Sequence, residues 1–116
     1  MGNWGFLTNH AHILVWVTQH PHSTVREISW ATGLTERATL AILQDLRRAG
    51  IIVSERVGRR NTYSIDFDAL RRYRFWAPSD VPLPESLIRA AVRALRRVAG
   101  RRSRAAGAVR TQSVSP

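Results

Sequence analysis

The hydrophobic pattern of the first fifty residues predicts three helices in succession. The first spans about residues 9–20, between a cap at Thr8 or Asn9 and the helix-breaking Pro21. Its apolar residues form two faces, Ile13, Trp16 and Val17 on one, and Leu14 and Val15 on the other. A helix with two apolar faces packs against two partners. We therefore expect this helix to contact its own core and either a second subunit or the C-terminal segment.

Capping residues mark the second and third helices, and a glycine separates them. Thr24 and Glu27 have the spacing of a capping box, and Thr35 caps the third helix, which runs over 36–49. Gly33 permits a tight turn between the two helices. The inward positions are Val25, Ile28, Ser29 and Thr32 in the second helix, and Thr39, Ile42, Leu43 and Leu46 in the third. This arrangement is typical of a helix-turn-helix.

After Gly50, which ends the third helix, the period of the pattern changes from 3.6 to 2. The segments "IIVSERV" and "TYSI" read as strands, and they bracket the connection "GRRN". The sequence therefore predicts a β-hairpin over 51–65 with Arg59 and Arg60 at its tip. Two helices around a glycine turn, followed by a hairpin, indicate a winged helix-turn-helix that is mainly α with a small β-hairpin wing.

The rest of the chain is predicted to be an extension with its own character. Asp66 or Asp68 caps a short turn, and "APSDVPLP" at 77–84 is typical of a proline-rich linker. Residues 85–99 form an amphipathic helix, and 100–116 are predicted to be a disordered basic tail. The apolar stripe of the helix is Leu87, Ile88, Ala91, Val92, Leu95 and Val98, opposite Arg89, Arg93, Arg96 and Arg97. Because such a stripe is unstable alone in water, we expect it to pack on the first helix, within or across subunits.

Composition adds a strong positive charge to this architecture. The chain of 116 residues has 18 basic residues, all arginine, against 8 acidic ones, a net charge of +10. Residues 1–80 carry +3 and residues 81–116 carry +7. Such a surplus favours anionic partners, and arginine suits bidentate contacts with phosphate. The length indicates one domain, placed at 1–76, with the basic extension as an appendage.

Several classes of function lack the residues that they need. The chain has no cysteine, which excludes disulfides, thiolate metal sites and a cysteine nucleophile, and fits a cytoplasmic protein. His10 and His12 are two residues apart and cannot share a helix face, so we expect no metal site and no cofactor. The apolar run "AHILVWV" is far shorter than the roughly 20 residues of a membrane span. No nucleophile-elbow motif is present, and we expect the protein not to be an enzyme.

The run from "NWGFLTNHAHIL" through "GLTERATLAILQDLRRAGII" to "ERVGRRNTYSI" resembles small bacterial winged helix-turn-helix transcriptional regulators, loosely MarR- or ArsR-like. The resemblance covers about residues 3–66. In that group the third helix typically opens "ITERTVQRILADLEEAGY" and the wing reads "GRRNRY". Here Leu40 and Ala41 stand at two outward-facing positions that are polar in the group, and Arg47 and Arg48 replace an acidic pair. The resemblance implies DNA binding and gives no role to the extension.

These observations predict a cytoplasmic homodimer that binds double-stranded DNA and regulates transcription. The recognition helix, 35–49, would lie in the major groove, and the wing, 51–65, on the adjacent minor groove or backbone. The predicted contact residues are Thr35, Glu36, Arg37, Leu40, Ala41, Gln44, Arg47, Arg48, Arg56, Arg59, Arg60 and Asn61.

Other interpretations of the same residues stay open. A winged helix can serve as a protein-interaction or chromosome-architecture module with little sequence specificity, working here through helix 85–99. That helix could also bind a membrane surface, a weaker alternative to the expectation of no membrane partner. Arg47 and Arg48 can equally be cations that favour a helix C-terminus. The wing arginines can contact phosphate alone or enter the minor groove.

Overall fold

The computed structural model describes residues 5, 7–74, 76 and 83–114, with side chains as far as residue 101. Within these residues the elements are α1 (Asn9–Gln19), α2 (Val25–Thr32), α3 (Glu36–Arg48), β1 (Ile52–Val57), β2 (Arg60–Ile65), α4 (Phe67–Arg72) and α5 (Glu85–Val114). The molecule is mainly helical, with a two-stranded antiparallel hairpin after the first three helices. The three predicted helices and the predicted hairpin are therefore confirmed.

The first three helices begin at the predicted caps. Thr8 caps α1 and Thr35 caps α3, each through a side-chain hydroxyl that accepts a backbone N–H of the first turn. At the start of α2 the capping box is complete: Glu27 N–H donates to Thr24 Oγ1 at 3.1 Å, and Thr24 N–H donates to Glu27 Oε1 at 2.8 Å. Gly33 ends α2 with φ +74°, a left-handed conformation that favours glycine. The turn between α2 and α3 thus follows from local chemistry.

One hydrophobic core lies between the helices and the hairpin. Every helix and strand contributes to it: Ile13, Leu14, Val17, Ile28, Ile42, Leu43, Leu46, Ile51, Ile52, Tyr63, Leu70 and Val92. The predicted inward positions of α3 are all buried. Tyr63 ties the hairpin to the helices, because its N–H donates to the carbonyl of Pro21 at 2.8 Å and its ring is buried. The hairpin therefore has a fixed position relative to α3.

The hairpin turns through two residues. Ile52 pairs with Ile65 at the base and Val57 with Arg60 at the far end, leaving Gly58 and Arg59 as the loop. Gly58 has φ +63°, and no other type of residue among those described has a positive φ. A positive φ at the first loop position alone matches a type II′ turn, whose twist suits a two-residue hairpin.

Helix α5 packs back onto the domain. Val92 is buried in the core, and Ile88 and Leu95 pack against it. The helix contacts α1 and α4. This confirms the expected packing of the amphipathic helix on the first helix, and it occurs within the chain. The short helix α4 is capped by Asp66 rather than Asp68, because Asp66 Oδ1 accepts the N–H of Ala69 at 3.0 Å.

Two expectations about the extension need correction. Leu87 was expected in the apolar stripe, but its side chain is 53% exposed, because it lies in the first turn of α5 and at the margin of the stripe. Residues 100–116 were expected to be disordered, whereas the backbone continues as helix to Val114. The segment is rich in alanine and arginine, which have high intrinsic helix propensity even without apolar periodicity. Residues 115–116 and the linker residues 77–82 lie outside the described residues.

No helix in the described part of the chain combines the length and the apolar character needed to cross a membrane.

Candidate nucleic-acid interface

Helix α3 is fixed in position and rotation by its first turn and its buried side. The hydroxyl of Thr35 accepts the N–H of Ala38 at 3.0 Å, and Leu34 N–H donates to the carbonyl of Ser29 at 3.1 Å. Thr39, on the buried side, has no exposed surface. Because these contacts leave the helix little freedom, its opposite side is presented to solvent in a defined orientation.

The solvent side of α3 carries five of the predicted contact residues, which we call the α3 outer face: Arg37, Leu40, Ala41, Gln44 and Arg48. All five are exposed, and spacings of three and four residues place them on one side of the helix. Leu40, near the centre, is 49% exposed. Among the described residues, the two guanidinium groups make no hydrogen bond or ion pair. They stand about 16 Å apart along the helix axis and can donate to phosphates or base edges.

Three further predicted residues lie beside this face. Glu36 and Arg47 are exposed on the flank of α3. Thr35 is exposed, but its hydroxyl already acts as the helix cap. On the other flank, Asp45 Oδ2 shares a hydrogen bond of 2.9 Å with His10 Nε2. The flanks therefore carry both acidic and basic side chains, whereas the only charged side chains on the α3 outer face are arginines.

The hairpin presents two exposed arginines and an asparagine near its loop. Arg56 and Asn61 are cross-strand partners, and alternation puts them on the sheet face that carries the buried Tyr63. The side-chain amide of Asn61 donates to the hydroxyl of Tyr63 at 3.4 Å. Arg59 lies in the loop itself. In the part of the chain that the structure describes, Arg56 and Arg59 have no hydrogen-bond or ion-pair partner.

Arg60 differs from the other predicted contact residues, because its guanidinium is engaged within the chain. Its Nη1 donates to Glu27 Oε1 at 2.7 Å and to the carbonyl of His22 at 3.0 Å. Alternation along β2 places Thr62 on the same side, where its hydroxyl lies 3.3 Å from His22 Nδ1. Arg60 was expected at the hairpin tip beside Arg59. It instead begins β2 and connects the hairpin to the start of α2.

The carboxylate of Glu27 is the centre of this connection. Its pKa is lowered from 4.5 to about 2, chiefly by the backbone hydrogen bond from Thr24 and then by the hydrogen bond from Arg60. Sequence reasoning identified Glu27 as a capping residue but not as a partner of the hairpin. Since 33 residues separate it from Arg60, no local spacing signals their contact.

A second feature absent from the predicted set lies on α2. The Trp30 side chain is 74% exposed, and the Arg26 guanidinium carbon lies 5.0 Å from the centre of its ring. This geometry is a cation–π contact. The four-residue spacing of an arginine and a tryptophan on a short helix is the signal that predicts such a pair.

The four histidines do not assemble a metal site within the described residues. There, no group of three or more His, Cys, Asp or Glu side chains has a geometry that could hold an ion. His10 and His22 instead form the surface hydrogen bonds to Asp45 and Thr62 described above.

Comparison with known proteins assigns no family to this chain. No protein-family model matches it, and no curated protein matches it significantly.

Proposed function

We propose that this chain is a winged helix-turn-helix protein that binds double-stranded DNA sequence-specifically and regulates transcription by occupying an operator. In this proposal α2 and α3 form the helix-turn-helix and the β1–β2 hairpin is the wing. The order of the elements supports it, because a glycine turn joins α2 to α3 and the hairpin follows directly. The resemblance in residues 3–66 to MarR- or ArsR-like regulators points the same way.

The observation that carries the proposal is the α3 outer face. It is an exposed helix side with Leu40 and Gln44 at its middle and, toward both ends, arginines that have no partner among the described residues. A major groove about 12 Å wide admits one α-helix, and arginine, glutamine and an apolar side chain can recognise guanine, adenine and the thymine methyl, respectively. Capping and packing hold the helix in one orientation, so these side chains can contact a defined set of base pairs.

The wing adds a second contact beside the helix. Arg59, at the loop, is the residue that we propose reaches the neighbouring minor groove or its phosphates. Arg60 is proposed to hold the wing in position rather than to contact DNA, because its guanidinium already bonds Glu27 and the His22 carbonyl. Arg56, Asn61 and Arg47 lie where they can add backbone contacts.

A salt titration with single-arginine variants tests this proposal. We expect the log of the duplex association constant to fall linearly with log salt, with a slope of about 0.9 per phosphate contacted. Replacing Arg37 by alanine should reduce the slope by up to about 0.9 and weaken binding. The matched control is Arg71→Ala, which removes the same charge from the last turn of α4 and should leave the slope unchanged.

The same titration includes a competition with unlabelled duplexes. Specific binding predicts that one sequence competes at a lower concentration than bulk duplex does. Equal slopes for Arg37→Ala and Arg71→Ala, or equal competition by every duplex, would contradict the proposal and favour a module without sequence specificity.

A further inference from the structure

A row of arginines follows the outer side of α5. Arg93, Arg97 and Arg101 recur every four residues and are exposed; we call them the α5 arginine row. At 1.5 Å per residue, successive members lie about 6 Å apart along the axis. Arg89 continues the row toward the start of the helix, where its Nε is 3.7 Å from Glu85 Oε1.

The three members of the row have no partner among the described residues, unlike their neighbour on the flank. Arg96 Nη2 lies 3.8 Å from Asp68 Oδ1, and its guanidinium carbon is 5.3 Å from the centre of the Phe67 ring. Arg96 thus helps to attach α5 to α4. The α5 arginine row contributes nothing to that attachment, so its charge is available to a partner outside the chain.

The opposite side of α5 restricts what that partner can be. Val92 is only 5% exposed, and Ile88 and Leu95 pack against the core. A helix that lies in a membrane surface must bury its apolar face among lipids, and here that face is already covered by the protein. The partner must therefore be recognised by its negative charge alone, from the arginine side.

The spacing of the row fits the phosphates of a duplex. Neighbouring phosphates of one strand lie about 7 Å apart across the surface of the duplex, close to the step of the row. Guanidinium groups bind phosphate oxygens bidentately, and such contacts carry no base preference. A flexible single strand must first be ordered to present its phosphates in a row, which costs conformational entropy.

The row is also separate from the α3 outer face. Helix α3 contacts α1, α2 and β1, whereas α5 contacts α1 and α4, and between described residues α3 and α5 make no contact. Helix α1 contacts both of them, so the two surfaces lie on elements that do not touch each other.

We propose that the α5 arginine row is a second, sequence-independent binding site for the phosphates of duplex DNA, and that one molecule thereby holds two duplex segments. The phosphate site stands on the geometry of α5 alone. The joining of two segments rests in addition on the proposed function of α3 and the wing.

The test uses the full chain and two variants that each lose three positive charges. One carries Arg93→Ala, Arg97→Ala and Arg101→Ala, and the matched variant carries Arg37→Ala, Arg48→Ala and Arg59→Ala. Each protein is bound to a duplex fixed on beads, and capture of a second, labelled duplex of unrelated sequence is measured. Wild type should capture it. The α5 variant should still bind the bead duplex, with an unchanged salt slope, but capture none. In wild type the capture of the second duplex should have its own salt slope of about 2.7, which is 0.9 for each of three phosphates.

Several results would overturn the proposal. One is undiminished capture by the α5 variant, and another is a lower molar mass of that variant in light scattering, which would mean that the arginines act through assembly. Preferential capture of single-stranded RNA or of anionic phospholipid vesicles by wild type would assign the row to another partner. If the α5 variant alone lost duplex binding, the proposed function of α3 would fail and the phosphate site would stand. If the α3 and wing variant alone lost all duplex binding, although its α5 arginine row is intact, the phosphate site would be rejected.

Discussion

Arg59 and Arg60 show how adjacent identical residues acquire different tasks. The pairing of β2 begins at Arg60, so the strand fixes the direction of its side chain toward Glu27 and the His22 carbonyl. Arg59 precedes the strand and lies in the loop, where no such constraint acts. Both arginines are exposed, and the ion pair of Arg60 is a surface pair of small energetic value. It joins the hairpin to the start of α2.

This difference predicts separable effects of the two substitutions. Arg59→Ala should reduce the salt slope of duplex binding by up to about 0.9, remove a preference for A·T pairs flanking the bound site, and leave the urea midpoint unchanged. Arg60→Ala should lower the urea midpoint slightly, because it removes the ion pair that joins the hairpin to the start of α2. Anisotropy titrations and urea unfolding measure both. Identical behaviour of the two variants in both measurements would contradict the assignment.

The Glu27 carboxylate predicts a pH dependence of stability in acid. Its pKa is about 2 in the folded chain against 4.5 ordinarily, so its contribution to stability is present above pH 4.5 and is lost as the pH falls to about 2. Glu27→Gln has no carboxylate to titrate. We therefore expect the melting temperature of wild type to fall toward that of Glu27→Gln between pH 4.5 and 2.

The cause of the shift can be separated with a second variant. Arg60→Ala should raise the pKa of Glu27 only in part, since the largest cause is the Thr24 backbone N–H. Loss of the Glu27 contribution should thus begin near pH 4.5 in both proteins, but in Arg60→Ala it should be smaller in total and complete at a higher pH than in wild type. A difference in melting temperature between wild type and Glu27→Gln that stays constant down to pH 2 would refute this account of Glu27.

At the scale of elements, the sequence predicts what local chemistry determines. The caps at Thr24 and Thr35 and the buried stripe of α3 were predictable, because each depends on residues within a few positions of one another. The predicted exposure of the α3 outer face follows from the same stripe. The contact of Arg60 with Glu27 was not predictable, since it depends on how the hairpin packs on α2.

The extension shows a second limit of the same kind. Its apolar stripe predicted packing on α1 but not which residues at the margin of the stripe would be covered, so Leu87 was misplaced. The absence of apolar periodicity after residue 99 indicates that a segment lacks a packing face. It does not exclude a helix in a sequence rich in alanine and arginine.

The docking of α5 predicts a contrast between two apolar residues of the same helix. Val92→Ala should destabilise the fold by about 1.6 kcal/mol, from two buried carbon groups at about 0.8 kcal/mol each. Leu87→Ala, at a side chain that is 53% exposed, should change stability by less than about 0.5 kcal/mol. Urea unfolding of both variants measures this. A larger loss for Leu87→Ala would show that α5 docks through another side.

At the scale of the whole molecule, the charge of +10 is divided between surfaces on different elements. The α3 outer face and the wing carry arginines together with groups suited to recognising bases, whereas the α5 arginine row carries charge alone. Helix α1 packs against both α3 and α5 and so connects the elements that carry the two surfaces. In our proposals the first surface supplies sequence preference and the second supplies affinity without preference.

The central claim is that the α3 outer face reads base pairs, and selection of binding sites from randomised duplex DNA tests it most directly. Wild type should enrich one motif, and half-sites about 10 base pairs apart in a palindrome would indicate two chains bound together. Gln44→Ala and Leu40→Ala should alter the preferred bases within the motif, since each removes an exposed side chain of the α3 outer face. A duplex pool that stays unenriched while wild type binds it, or an identical motif for wild type and both variants, would contradict the claim.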